Sequence, residues 1–130
     1  MSAATIFPTM SYRDATKAVG WLCEAFGFEA KAVYKAEDGT IAHAELTYGN
    51  GAVMFGQQRE GEAFASPPGT ASVYVVVADP DAHHQQARAA GAEIIRELTD
   101  QDYGSREYVA TDFEGNIWSF GTYKTVLVEG

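Results

Sequence analysis

The chain has 130 residues, 46% of them hydrophobic, which suits one domain with a buried core and leaves no room for a second. Eighteen acidic against nine basic residues give a formal charge of −9, which repels polyphosphate backbones and anionic membrane surfaces; nucleic acid and membrane are therefore excluded as partners, while a cationic ligand is compatible. A single cysteine, Cys23, excludes an internal disulfide, and no stretch approaches the roughly 18 apolar residues of a membrane helix, so the expected location is cytoplasmic.

In chain order, residues 6–12 read as a short strand broken by Pro8, which places it at a sheet edge or strand end because proline donates nothing to a ladder. Asp14 then caps a helix in which Ala18, Val19, Leu22, Ala25 and Phe26 recur at three- and four-residue spacing, and Gly27 stops it. Cys23 falls inside this stretch and reads as core packing. Strands follow at 28–35, 40–48 and 52–56, separated by Glu37-Asp38-Gly39 and Gly49-Asn50-Gly51. The Asp-Gly and Asn-Gly pairs favour hairpin turns because glycine accepts positive φ. Residues 57–70, with Pro67-Pro68-Gly69, form a polar surface connection.

The order then recurs. A strand at 71–78 is followed by Asp79 as cap, Pro80 in the first turn, a helix over 82–90 ended by Gly91, and strands at 93–98, 105–111 and 117–123. A strand, a glycine-stopped helix and three strands, twice at a spacing of roughly 65 residues, is an internal structural repeat. The expected fold is α+β: two tandem βαβββ modules, about 5–57 and 70–124 joined by 58–69, forming a curved mixed sheet around a central cleft with one helix packed on each module.

Alternation along 40–48 directs Ala42, Ala44, Leu46 and Tyr48 to the helix and Ile41, His43, Glu45 and Thr47 to the concave side. His43 and Glu45 are then same-face neighbours that can share a proton, contact a polar ligand, act as an acid–base pair or supply two metal ligands. His83 and His84 are adjacent on a helix, diverge by roughly 100° and cannot clasp one ion; a solvated helix face accounts for them. A second polar cluster joins Tyr103, Arg106, Glu107, Tyr108 and Asp112, with Arg106 and Tyr108 on one strand face and Glu107 on the other. Arginine's planar fork suits carboxylate or phosphate recognition, and an internal ion pair to a nearby acid fits equally. No glycine-rich phosphate loop, nucleophile elbow or zinc-hydrolase histidine spacing is present in the sequence.

The segment from Tyr103 to Phe120, with Asp112-Phe113-Glu114-Gly115-Asn116 at its centre, resembles the last hairpin of the vicinal oxygen chelate superfamily, the glyoxalase, bleomycin-resistance and extradiol-dioxygenase group. Ala89-Ala90-Gly91-Ala92-Glu93 and Ala25-Phe26-Gly27-Phe28 are similar to its two helix-to-strand junctions. In metal-using members an ion sits in the cleft, held from the first and last strand of each module. Aligned on these motifs, the four places fall near Pro8, Phe55, Val73 and Ser119, none a ligand for a divalent ion, so no metal or other cofactor is expected. The resemblance implies a cleft lined by Met10, Tyr12, Phe55, Val73, Val75 and Ile117, with His43, Glu45 and Ser119 as polar accents; the second polar cluster adds Tyr103, Arg106 and Tyr108 as candidate ligand contacts. It also implies a homodimer that binds a small aromatic or amphipathic molecule without metal. The rival implication is a glyoxalase-type lyase or dioxygenase, with a displaced metal site or with His43 and Glu45 as its acid–base pair.

Overall fold

The computed structural model describes residues 4–62 and 65–125. In chain order the elements are β1 (Thr9–Tyr12), α1 (Ala15–Phe26), β2 (Glu29–Lys35), β3 (Ile41–Tyr48), β4 (Gly51–Gln57), β5 (Ser72–Val76), α2 (Pro80–Ala89), β6 (Glu93–Asp100), β7 (Arg106–Thr111) and β8 (Ile117–Gly121). The eight strands form two four-stranded sheets, ordered β1-β4-β3-β2 and β5-β8-β7-β6. In each sheet the first strand runs parallel to the last and the other neighbours are antiparallel, so the α+β architecture of two βαβββ modules follows the internal repeat.

Local chemistry sets the element ends. Asp14 accepts from the Lys17 amide at 3.1 Å, and Gly27, at φ 79°, closes α1. Asp79 caps α2 through the Ala82 amide, and the helix starts at Pro80, two residues earlier than its apolar spacing suggests, because proline's fixed φ suits the first turn. Pro8 stands just ahead of β1, an edge strand, and its carbonyl accepts from the Met54 amide at 3.0 Å.

Two details differ from sequence expectation. Tyr48 pairs with Gly51, so the β3–β4 loop is Gly49-Asn50, and positive φ falls on Gly49 (56°), not on the glycine after Asn50. Glycine in the first place of a two-residue loop gives a II′-type turn, whose twist matches the flanking strands. On β3, Ala44 and Leu46 are buried as alternation requires, but Ile41 is buried and Ala42 exposed. The reason is a register shift in the β2–β3 ladder, where Tyr34 and Lys35 pair with His43 and Ile41 and skip Ala42.

The modules share one core. Phe26 of α1 lies 5.5 Å from Trp118 and 4.7 Å from Phe120 of β8, ring to ring, and Phe28 stands edge-on to Trp118. Cys23 packs partly buried against this cluster. His83, expected on a solvated face, is instead 7% exposed within the seam. Its Nε2 donates to the Phe26 carbonyl at 2.8 Å, so its Nδ1 accepts from the Tyr108 hydroxyl at 2.6 Å. The two histidines diverge on the helix as expected, but neither is solvated: the His84 side chain is 12% exposed, stands edge-on to Tyr108 at 5.1 Å and meets Glu97 at 2.9 Å.

The β7–β8 turn ties the modules together. Buried Asp112 accepts from the Asn116 amide (3.1 Å) and side chain (2.9 Å), the Glu114 amide (2.9 Å), Trp118 Nε1 (3.0 Å) and the Tyr12 hydroxyl (2.6 Å). Tyr12 belongs to the other module. From the same turn, the Glu114 carboxylate accepts the Arg13 and Asp14 amides, each at 2.7 Å, at the positive end of α1. Each sheet thus turns one face toward the helices and the other module and leaves its opposite face open.

Candidate functional site

Three places on this frame gather side chains capable of binding or chemistry. The first is the open face of module one. His43 Nε2 and Glu45 Oε2 are 2.9 Å apart with both side chains about 40% exposed, and Tyr34 stacks beside the imidazole at 6.2 Å. With Thr9, Ser11, Met54 and Arg59, His43 borders a hollow of about 210 Å³.

The second place is a groove of about 300 Å³ between modules, lined chiefly by Pro8, Phe28, Tyr48 and Val53 from module one and Val73 and Val75 from module two. Tyr48 and Phe28 meet edge-on at 5.6 Å, giving it an aromatic wall.

The third is the open face of module two. Glu107 is covered to 6% exposure and accepts from the hydroxyls of Tyr103 (2.6 Å), Tyr74 (2.7 Å) and Ser105 (3.0 Å). Burial works against its ionisation, but these three hydrogen bonds outweigh it and hold the carboxyl below its usual range. The bond to Glu107 in turn pushes Tyr103 up to about 12, and burial followed by the same carboxylate raises Tyr74.

The sequence-derived residues are spread over these places and the core. His43 and Glu45 come together, and Met10 and Phe55 border the same hollow. Their side chains, however, with that of Tyr12, belong to the core rather than to a cleft wall: the β1–β4 register sets Met10 beside Phe55, on the sheet face that α1 covers. Val73 faces the intermodule groove, while Ile117 and Ser119 lie on the open face of sheet two, Ser119 opposite Tyr74. Arg106 and Tyr108 face α2: Arg106 pairs with Asp81 at 2.7 Å and Asp100 at 3.1 Å, which raises its pKa and lowers that of Asp81, and Tyr108 is fully buried on His83. The internal ion pair is therefore the role the structure displays for Arg106. Sequence reasoning did not bring Tyr74, Ser105 and Gly121 to Glu107; the signal was there, since Tyr108 alternating with Ala110 marks an inward face and leaves Glu107 on the open one.

A metal ion does not fit the strands that hold one in metal-using relatives. Their open faces carry Thr9 and Ser11, Met54 and Gly56, Ser72 and Tyr74, and Ser119 and Gly121, set by the registers Thr9 to Met54 and Tyr74 to Ser119. Hydroxyls, a thioether and glycines are not the imidazole and carboxylate donors such ions take, and among the described residues no three His, Cys, Asp or Glu side chains gather as a metal-holding group. Among the described residues no helix is long and apolar enough to cross a membrane.

Comparison with known proteins agrees with this architecture. TioX from Micromonospora sp. ML1 superposes with a TM-score of 0.79 at 36% identity, covering 92% of this chain and 98% of its own. A glyoxalase/bleomycin resistance protein from Catenulispora acidiphila superposes at a TM-score of 0.66 and 20% identity over 92% of this chain and 97% of its own, a likeness of fold. The uncharacterized protein Mb0911c of Mycobacterium bovis is 31% identical over 88% of this chain and 80% of its own length. Residues 7–120 match the family model described as Glyoxalase/Bleomycin resistance protein/Dioxygenase superfamily, and the chain belongs to that superfamily.

Proposed function

We propose that the chain binds a small aromatic or amphipathic molecule without a metal ion, in the groove between its modules, and works as a cytoplasmic homodimer. The observation that carries this reading is the groove itself: about 300 Å³, walled by Phe28, Tyr48, Val53, Val73 and Val75, at the lower end of the size range of small-molecule sites. Support for a second copy comes from the strands beside it. β1 and β5 are edge strands, and Ile6 and Val76 are 83% and 40% exposed alongside, an apolar margin that a partner strand would cover.

Chelator-treated protein should bind the neutral, solvatochromic dye Nile red, and Val75→Arg, which places a charge in the groove, should abolish that binding while the variant keeps a cooperative melt. Binding that requires added metal, or that survives Val75→Arg unchanged, overturns the reading. Sedimentation equilibrium tests the dimer, and a monomer at every concentration removes that part alone.

A second reading rests on the 2.9 Å contact of His43 and Glu45. Glu45 holds the imidazole so that it can take a proton from a substrate in the adjoining hollow, as a metal-free lyase would require. Chelator-resistant exchange of a ketoaldehyde–thiol adduct's α-proton, lost in His43→Ala, decides for it; no exchange in the wild type decides against.

A further inference from the structure

The Glu107 cluster is built in a way that strand pairing does not require. Its carboxylate is the acceptor for three hydroxyls, that of Tyr74 from β5 and those of Tyr103 and Ser105 from the β6–β7 turn. A carboxylate offers about four acceptor positions, so three donors leave it one to spare and leave its negative charge in place. Among the described residues no lysine, arginine or histidine lies within ion-pair distance of it. Arg96 favours its ionised form through space, from beyond ion-pair distance, so the covered charge is met directly by hydroxyls alone.

What covers it is aromatic. Tyr74, Tyr103 and Tyr123 are 41%, 56% and 47% exposed, and the Tyr103 and Tyr123 rings stand edge to face at 5.8 Å. The Tyr74 hydroxyl also accepts from the Tyr123 amide at 3.3 Å, which fixes the segment after β8 that carries the third ring against the first. Opposite Glu107 on β8 stands Gly121, where a Cβ would collide with the Tyr74 hydroxyl and the Glu107 side chain. Glycine there is what lets the carboxylate and the tyrosines close in on one another. Each tyrosine that donates to a carboxylate gains electron density in its ring, which strengthens the ring's attraction for a cation.

From this geometry we propose that Glu107, Tyr74, Tyr103 and Tyr123 form a binding site for an alkylammonium group, with the tyrosine faces meeting the cation's methyl or methylene surface and the carboxylate supplying the charge beneath them. The ordinary size and polarity of such a group match the parts: a weakly hydrated cation keeps favourable contact with rings while a small, strongly hydrated one does not. The chain's charge of −9 adds a long-range attraction for the same sign of ligand. This proposal does not rest on the apolar groove, although Tyr74 borders both places and would let one ligand span them.

Choline and its neutral isostere 3,3-dimethyl-1-butanol separate charge from shape. Calorimetric or NMR titration of the purified full chain should show choline binding and binding of the isostere weaker by about ten-fold or more. Glu107→Gln, which keeps one of the two acceptor oxygens and removes the charge, should reduce choline affinity by a comparable factor, and Tyr103→Leu should do so by removing a ring and one of the three donors while leaving the charge in place. Equal binding of choline and isostere, no choline binding by the wild type, or full choline affinity in a folded Glu107→Gln or Tyr103→Leu variant overturns the proposal. Should Glu107→Gln fail to fold, the exposed Tyr103→Leu variant and the isostere comparison decide alone.

Discussion

The two modules place different chemistry at one and the same position. Ala44 pairs with Phe55 in the first sheet and Tyr108 pairs with Phe120 in the second, so the residues one step earlier on each strand, His43 and Glu107, are equivalents in the repeat. His43 is half exposed, has one side-chain partner and stands at the rim of a hollow. Glu107 is covered, has three partners and sits over a glycine. The difference shows how a structural repeat divides labour within one architecture: the backbone repeats, while the open faces diverge into a half-exposed polar pair and a covered anion. Neither residue is needed to close the core, so each face is free to specialise.

The tie between modules is the sharpest break in the symmetry, and the largest expected effect lies there. The β3–β4 loop has two residues and no carboxylate, whereas the β7–β8 turn carries Asp112 and reaches Tyr12 of the other module. Asp112→Ala strands the Tyr12 hydroxyl, Trp118 Nε1 and the Asn116 side chain, all buried, and should cost about 3 kcal/mol or more. The melting temperature should fall by roughly 10 °C or more. A fall of only a degree or two would mean that water or a new partner replaces the carboxylate, and the turn would lose its place as the link.

Glu107→Ala comes next, at about 1–3 kcal/mol, since it leaves three hydroxyls to find solvent. Its pH signature has a definite sign. Because the folded carboxyl titrates below its ordinary value of 4.5, the unfolded chain takes up the proton first as pH falls. The contribution is complete above about pH 4.5 and is lost as pH drops through the lower folded value. Chemical denaturation of wild type and Glu107→Gln should therefore converge in acid; a gap that stays constant would show that the hydrogen bonds do not favour the ionised form.

A smaller effect is expected from His83, the histidine inside the seam. Burial lowers its pKa from 6.5, so the folded state holds it neutral while the unfolded chain charges it on acidification. Its contribution is complete above about pH 6.5 and declines below it. The margin by which wild type outlasts His83→Gln should narrow between about pH 7.5 and about pH 5.5. A margin that widens in that interval would place a charged imidazole in the folded core.

Much of this was readable from the chain, and what was not has physical causes. Asp14, Gly27, Asp79 and Gly91 announce helix ends because capping is a local matter of one side chain or one φ angle. The turn at Gly49 and the exposure of Ala42 lie one residue from where the sequence pattern puts them because hairpin register and bulges depend on the partner strand. Period-two alternation separates the faces of a strand without saying which is inside. Where both sets are apolar, as with Val53 and Phe55 against Ala52 and Met54, the choice is made by the helix that arrives from elsewhere. Alternation likewise offers Arg106 and Tyr108 as ligand contacts, and α2 claims both. The groove joins Phe28 and Tyr48 to Val73 and Val75 across the seam, a meeting that no spacing within either module encodes.

The smallest effect, and the most informative about the repeat, belongs to His43. An exposed pair with one hydrogen bond contributes little, so His43→Ala should change stability by less than about 0.5 kcal/mol, against the larger loss at its equivalent, Glu107. Pairing this with His43→Glu tests the divergence directly. Module one sets Tyr34 and Glu45 against the position, with Glu45 at 2.9 Å as its one side-chain hydrogen-bond partner, so a second carboxylate there faces repulsion from Glu45. His43→Glu should therefore be less stable than His43→Ala near neutral pH. If His43→Glu were instead as stable as the wild type at neutral pH, the open face of module one would already hold donors for a carboxylate, and the contrast between the two faces would rest on the side chain alone rather than on its surroundings.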